Sequence, residues 1–309
     1  HANLLGAATT ESLAPRIVTG FSDRDVEQLL GLDPAKEGAL TLVALGRTDV
    51  EPPPRPKLPD ISFETAPLSR SEVDYPAIRE MHAASSLSSG ADAEAWRQST
   101  FEPGTLGAPG SVFRGPPPGE LPRESLESVI RRRGSTRAFD RAAALSLEQL
   151  VAVLECASVE LPADFGAPSS GPLVDFYLIA HAVEGIPAGT YYYRRAERSL
   201  ELLRAGEFRD LAGRLGLFQE LPADAAVNVY CLADLDRVFA VRGDRGYRAA
   251  QLEGGIRGGL MYLAAYAQRF GATGLTFLDD EVIDFFSPHA RGKDVMFLTA
   301  LGKSVRRRS

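Results

Sequence analysis

Glycines 254, 255, 258 and 259 fall inside a stretch whose apolar residues keep helical spacing, and another follows at 271. Leu252, Ile256, Leu260, Leu263, Ala264 and Ala267 recur as they do on a helix, so the spacing predicts one long helix over about 247–270. Each interior glycine costs a helix ~1 kcal/mol against alanine, so the cluster needs a reason. Close packing against another helix is one. Approach of a flat ligand or a second subunit to the bare backbone is the other. Gly271 reads as the residue that closes the helix. The chain then turns at GATG. ATGLTFLDDEVIDFF reads as strand, turn and helix, and VMFLTALG as a buried strand.

The 309 residues allow one large or two small domains, and 44% hydrophobic content suffices for a sizeable core. A net charge of −7 argues against nucleic acid as the main partner. No run of eighteen apolar residues predicts a membrane span, and no signal-peptide pattern is present. Cys156 and Cys231 fall far apart in apolar segments and read as reduced core residues, as in a cytoplasmic protein. His1, His82, His181 and His289 form no metal-ligand spacing.

RIVTGFSDRDVEQLLGLDPAKEGALTLVALGR aligns without gaps to ATGLTFLDDEVIDFFSPHARGKDVMFLTALGK at an offset of 256. Phe21 meets Phe277, Asp23 meets Asp279, Val26 meets Val282 and Leu42 meets Leu298. The ungapped match predicts an internal repeat. On that reading, residues 1–47 are the tail of a first domain copy whose front half is absent. Residues 48–121 carry EPPPRPKLPD, FEPGTLGAPG and RGPPPGELP and read as an extended linker with one short helix near 75–84. Residues 122–309 form the globular domain. Helices and strands intermix there without βαβ alternation, which predicts the α+β class: a mixed sheet flanked by helices, with the long helix central.

Four stretches could carry chemistry. Arg131–Arg137 packs four guanidiniums and a hydroxyl into seven residues, a composition suited to a phosphate. The plainer reading is a solvated basic helix end. Pro168-Ser169-Ser170-Gly171 could hydrogen-bond a ligand edge or be only a turn. Gly271–Gly274 precedes Asp279, Asp280 and Glu281, carboxylates that fit a helix start better than acid or base work. Lys303 and Arg306–Arg308 form a basic tail directly after a core strand.

Together, RRRGSTRAF, SLEQL, PSSG, IAHAVEGIPAGTYYY, GDRGYR, GATG and ALGK, in this order, resemble the FMN-dependent nitroreductase-like superfamily over residues 122–303, and most closely its SagB-type, or azoline dehydrogenase, branch. The resemblance implies an α+β flavoprotein fold in which two copies pair, FMN lies at their interface and hydride moves at the flavin. Arg133, Ser135 and Arg137 match the family's phosphate and ribityl contacts. Ser169 and Ser170 match the loop beside the flavin, and Gly274 and Leu275 the backbone near the ring. Lys303 and Arg306 match the basic residues that reach the phosphate. The glycine-rich helix matches the helix that forms much of the two-copy interface.

The departures bear on chemistry. Val241 and Arg242 stand where azoline dehydrogenases carry a Lys-Tyr pair, and Ile256 replaces the branch's usual helix histidine. Neither valine nor a permanently charged arginine transfers protons near neutral pH. Tyr247, between Arg245 and Arg248, is the remaining catalytic candidate; the plainer reading is a packing tyrosine. The expectation is an FMN-dependent oxidoreductase acting on a modified peptide or carrier-bound intermediate, as a homodimer or with a second nitroreductase-like copy. The alternatives are a nitroreductase-like flavin reductase using NAD(P)H, and a non-catalytic domain that pairs with an active copy or binds a leader peptide.

Overall fold

The computed structural model describes residues 1–46, 61, 63, 66, 69–104, 107–116, 124–166 and 171–305. In chain order the elements are α1 (Ala2–Thr10), β1 (Arg16–Val18), α2 (Asp23–Leu30), β2 (Leu42–Ala44), α3 (Pro76–Ala84), α4 (Gly90–Gln98), β3 (Val112–Arg114), α5 (Leu126–Arg132), β4 (Leu145–Ser146), α6 (Leu147–Ala157) and β5 (Val174–Ala180). Then come β6 (Val183–Glu184), β7 (Gly189–Arg194), β8 (Ser199–Ala205), α7 (Arg209–Leu215), α8 (Glu220–Asp224), β9 (Val227–Ala233), α9 (Leu235–Arg242), α10 (Arg245–Ala267), β10 (Gly271–Leu275), α11 (Asp279–Phe286) and β11 (Asp294–Gly302).

Seven strands make one sheet in the order β10-β11-β9-β5-β7-β8-β3. Every pairing in it is antiparallel; the parallel pair β4–β6 stands apart. Alternation along β5 sorts the two faces. Phe176 and Leu178 enter a core with Leu150, Leu154, Ile256 and Met261 from α6 and α10. Tyr177 and Ile179 enter another with Leu215, Val282 and Phe286 from α7 and α11. Helices on both faces explain why β5 and β9 read as nearly unbroken apolar runs. The predicted α+β class and central helix are what the structure shows. Ser146 caps α6 in a reciprocal capping box with Gln149.

The glycine run on α10 divides by contact. A Cβ on Gly258 would lie 2.4 Å from the Phe297 ring, one on Gly254 3.1 Å from Met296 Cβ, and one on Gly259 2.6 Å from Ala2 Cβ. The first two glycines let α10 settle on β11, and the third admits α1. Gly255 has nothing within 4 Å. Alanine at 255 is therefore expected to raise stability by ~1 kcal/mol, whereas Gly258→Ala lowers it; denaturant unfolding of both variants checks the opposite signs.

Three expectations need correcting. Gly271 does not close the helix: Gln268 follows α10, Arg269 takes the left-handed conformation, and Gly271 opens β10. Its missing side chain serves packing, since a Cβ there would lie 2.1 Å from Thr136 Oγ1. GATG is strand rather than turn, paired along β11 from Gly271↔Gly302 to Leu275↔Leu298. Within 48–121 there is more than a linker with one helix. Besides α3, α4 carries buried Trp96, and β3 extends the main sheet along β8. Trp96 can anchor this low-complexity stretch because its indole N–H donates to the Arg242 carbonyl at 3.0 Å.

Residues 1–46 pack against α10 through buried polar groups. The Asp164 carboxylate accepts from the Thr19 and Gly20 amides and the Thr19 hydroxyl, at 2.7–3.0 Å. From the other side the Arg245 guanidinium donates to the Thr19 carbonyl at 2.6 and 2.8 Å, to the Ser85 carbonyl at 3.0 Å and to Asp23. Arg248 reaches the second Asp23 oxygen at 2.8 Å.

Candidate functional site

The stretch after α5 runs beside two strand ends. The Thr136 amide donates to the Ala272 carbonyl at 3.0 Å, fixing the stretch against β10. The Asp140 amide donates to the Lys303 carbonyl at 2.8 Å, and the Val305 amide to the Ala138 carbonyl at 3.1 Å. Phe139 is the buried anchor, packed with Ala225 and Ala300. Thr136 and Phe139 are the buried residues of the stretch, and Ser135 is linked to Gly274 through the Tyr262 hydroxyl. Gly274 and Leu275 are half-buried.

The guanidiniums of the RRR run have different fates. Arg131 pairs with Glu127 at 2.8 Å on the surface. Arg132 grips Glu124 and donates to the Tyr266 carbonyl at 2.8 Å. Glu124 raises the Arg132 pKa above its ordinary value, with burial opposing. Arg133, Arg137 and Lys303 have no carboxylate partner among the described residues. The buried Nε of Arg133 has no hydrogen-bond partner there, and its guanidinium carbon lies 5.8 Å from the Tyr262 ring centre. A guanidinium N–H left without a partner among the described residues suits a phosphate, which accepts several charge-assisted bonds at once. By this test the residues fit the phosphate end of FMN.

Tyr262 organises the site and was not singled out from the sequence. Its hydroxyl lies 3.3 Å from Ser135 Oγ and accepts from the Gly274 amide. One turn on, Tyr266 lies 3.2 Å from Thr136 Oγ1. The two tyrosines share a helix face at a spacing of four. That spacing was legible, but only the fold shows which residues the face meets. Ser169, Ser170 and Arg306 lie outside the described residues.

Tyr247 is elsewhere. It stands fifteen residues before Tyr262 on α10, about 22 Å away at 1.5 Å per residue. It lines a mostly apolar cavity of about 610 Å³ with Leu40, Ile78, Met81 and Leu252, and Gln251 Nε2 donates to its hydroxyl at 3.1 Å. Arg245 and Arg248 on either side turn to Asp23. The positions of the missing Lys-Tyr pair also have plain structural roles. Val241 is exposed. Arg242 is buried, donating to the Phe165 carbonyl at 3.0 Å and to Ser99 Oγ at 3.2 Å. Burial pushes its pKa below the ordinary value, with Asp164 opposing. Ile256 lies in the core.

No helix among the described residues is long and apolar enough to cross a membrane. No curated protein matches the chain. Among solved structures, one described as a nitroreductase from Anabaena variabilis superposes with a TM-score of 0.75 at 24% identity, over 98% of this chain. The match spans 64% of that protein's length. A second, from Ralstonia eutropha, gives a TM-score of 0.53 at 21% identity and covers 68% of this chain and 98% of its own. A chain of the E. coli microcin synthetase McbBCD complex, at a TM-score of 0.49 and 15% identity over 75% of this chain and 93% of its own, is too distant to bear on function. At these identities the likeness is one of fold. The family model described as the nitroreductase family matches residues 130–303, the span that holds the 133–137 stretch, the long helix and the final strand pair, and the chain belongs to that family.

Proposed function

We propose that the chain is an FMN-dependent oxidoreductase of the SagB-like kind, acting on a modified peptide or a carrier-bound biosynthetic intermediate. The carrying observation is that Arg133, Arg137 and Lys303 have no carboxylate partner among the described residues, whereas Arg131 and Arg132 are paired. Arg133, Ser135, Arg137 and Lys303 would hold the phosphate and ribityl end, with Arg306 and the Ser169-Ser170 loop assigned by resemblance. Gly274 and Leu275 would flank the ring. Bound FMN supplies hydride transfer. The protein's own part is positional: Tyr262 ties the Ser135 loop to the β10 backbone, so both are set before a ligand arrives.

The resemblance also implies pairing through α10, with itself or with a second nitroreductase-like copy, and Gly255 is the glycine left open for such an approach. Arg242, committed to Phe165 and Ser99, favours a second reading in which the substrate is not an azoline, or this domain supports an active partner. NAD(P)H turnover by the FMN-loaded protein would instead support a flavin reductase.

Arg137 is exposed, so alanine there leaves the fold intact and removes one charge-assisted contact. FMN affinity should fall by ~1.5–3 kcal/mol, read by titrating flavin fluorescence. Unchanged affinity would refute the phosphate assignment.

A further inference from the structure

We propose that the cavity between α3 and α10 is a binding site, separate from the candidate flavin site, for an uncharged apolar molecule that carries one amide-type edge. The inference does not rest on the FMN reading. At about 610 Å³ the cavity falls within the usual range of small-molecule pockets. Ile78 and Met81 from α3, Leu252 from α10 and Leu40 supply its apolar lining.

Few polar groups line it, and most are committed to one another. The Arg248 guanidinium donates to Asp23 at 2.8 Å, to Ser85 Oγ at 2.8 Å and to the His82 carbonyl at 2.9 Å. Ser85 Oγ in turn donates to the Met81 carbonyl at 2.6 Å. The His82 ring is engaged on both nitrogens. Arginine can only donate, so Nδ1 accepts from Arg248 at 3.1 Å, while Nε2 donates to the Glu27 carboxylate at 3.1 Å. A ring that accepts on one nitrogen and donates from the other is neutral. Arg245 and Arg248 are then balanced by Asp23 and Glu27, and the group carries no net charge to attract an ion.

Two groups are left over. Gln251 Nε2 donates to the Tyr247 hydroxyl at 3.1 Å, but among the described residues the hydroxyl proton of Tyr247 and Gln251 Oε1 have no partner. The two residues are four apart on α10 and so share a face. They offer a donor beside an acceptor. An amide, lactam or imide edge presents an acceptor beside a donor and satisfies both. A carboxylate would accept from Tyr247 but meet Oε1 with its second oxygen, and it would lose its hydration with no countercharge to replace it. A ligand held here would not exchange hydride with a flavin near Tyr262. The two tyrosines stand about 22 Å apart along the helix, and reacting atoms need an approach of roughly 3–3.5 Å. The ligand is bound here rather than turned over by that flavin.

The test titrates the whole chain with naphthalene-2-carboxamide, and with naphthalene-2-carboxylate as its charged match, by calorimetry. The amide should bind saturably and roughly tenfold or more tighter than the carboxylate. Tyr247→Phe should weaken amide binding roughly tenfold, since the donor is lost and the shape is kept. Ala77→Trp and Ile78→Trp, both at exposed positions of α3 that line the cavity, should block it and abolish binding while FMN affinity stays unchanged. No saturable amide binding would overturn the proposal, as would equal affinity for the carboxylate or unaltered affinity in Tyr247→Phe. Amide binding that survives both tryptophan variants would put the ligand elsewhere and overturn it. A loss of FMN affinity in those variants would make the cavity part of the flavin site and also overturn it.

Discussion

Arg245→Ala should destabilise the protein by ~3–5 kcal/mol, the usual cost of removing one partner from a buried ion pair. The side chain is among the largest that are fully buried, and its donors satisfy two carbonyls and a carboxylate from three segments. Burial lowers its pKa below the ordinary value, with the Asp23 hydrogen bond opposing that shift. Truncation leaves the Thr19 and Ser85 carbonyls without these donors, and Asp23 keeps only Arg248 as a cationic partner beside the Leu87 amide. Two readouts separate this from general loosening. The unfolding midpoint should fall, and hydrogen exchange should accelerate in residues 16–30 before it does in β5 and β9. A loss below ~1 kcal/mol would place the pair among solvent-screened ones and contradict the described clamp.

The clamp also shows where sequence reading stops. Arg245 and Asp23 are 222 residues apart, and no local period connects them. Arg245 could be read only as a neighbour of Tyr247. Features governed by short-range rules were legible: the α10 spacing and the apolar runs of β5 and β9. GATG misled because glycine punctuates turns but also admits close packing. Here Thr136 takes the place of a side chain at 271. β3 was hidden because a three-residue edge strand in a proline- and glycine-rich stretch has no alternation to display. At the candidate site, motif order brought Arg133, Ser135, Arg137 and Lys303 to attention. Tyr262 escaped notice because a tyrosine among apolar residues on a core helix looks like packing until its hydroxyl is seen between Ser135 and Gly274.

The second large effect concerns chemistry. The FMN-loaded chain is expected to oxidise thiazoline or oxazoline peptides ~10²–10⁴-fold more slowly than an enzyme with a positioned base, the usual contribution of general acid–base catalysis. Val241 carries no proton-transfer group, Arg242 is a buried brace, and Ile256 is core. Tyr247 bonds Gln251 in a cavity about 22 Å along the helix from Tyr262. Single-turnover flavin reduction by an azoline-bearing peptide measures this directly. The pair Val241→Lys with Arg242→Tyr tests restoration, with a thermal scan alongside because Arg242 braces Ser99 and Phe165. Rapid reduction by the unaltered protein would show that the proton is handled elsewhere.

Everything proposed about catalysis rests on the flavin. The most direct test is titration of the purified chain with FMN, followed by flavin fluorescence and by the visible absorption bands after gel filtration. The account predicts saturable binding that quenches fluorescence, weakens with Arg137→Ala and is competed by excess inorganic phosphate. A folded chain that neither retains nor takes up FMN would contradict it.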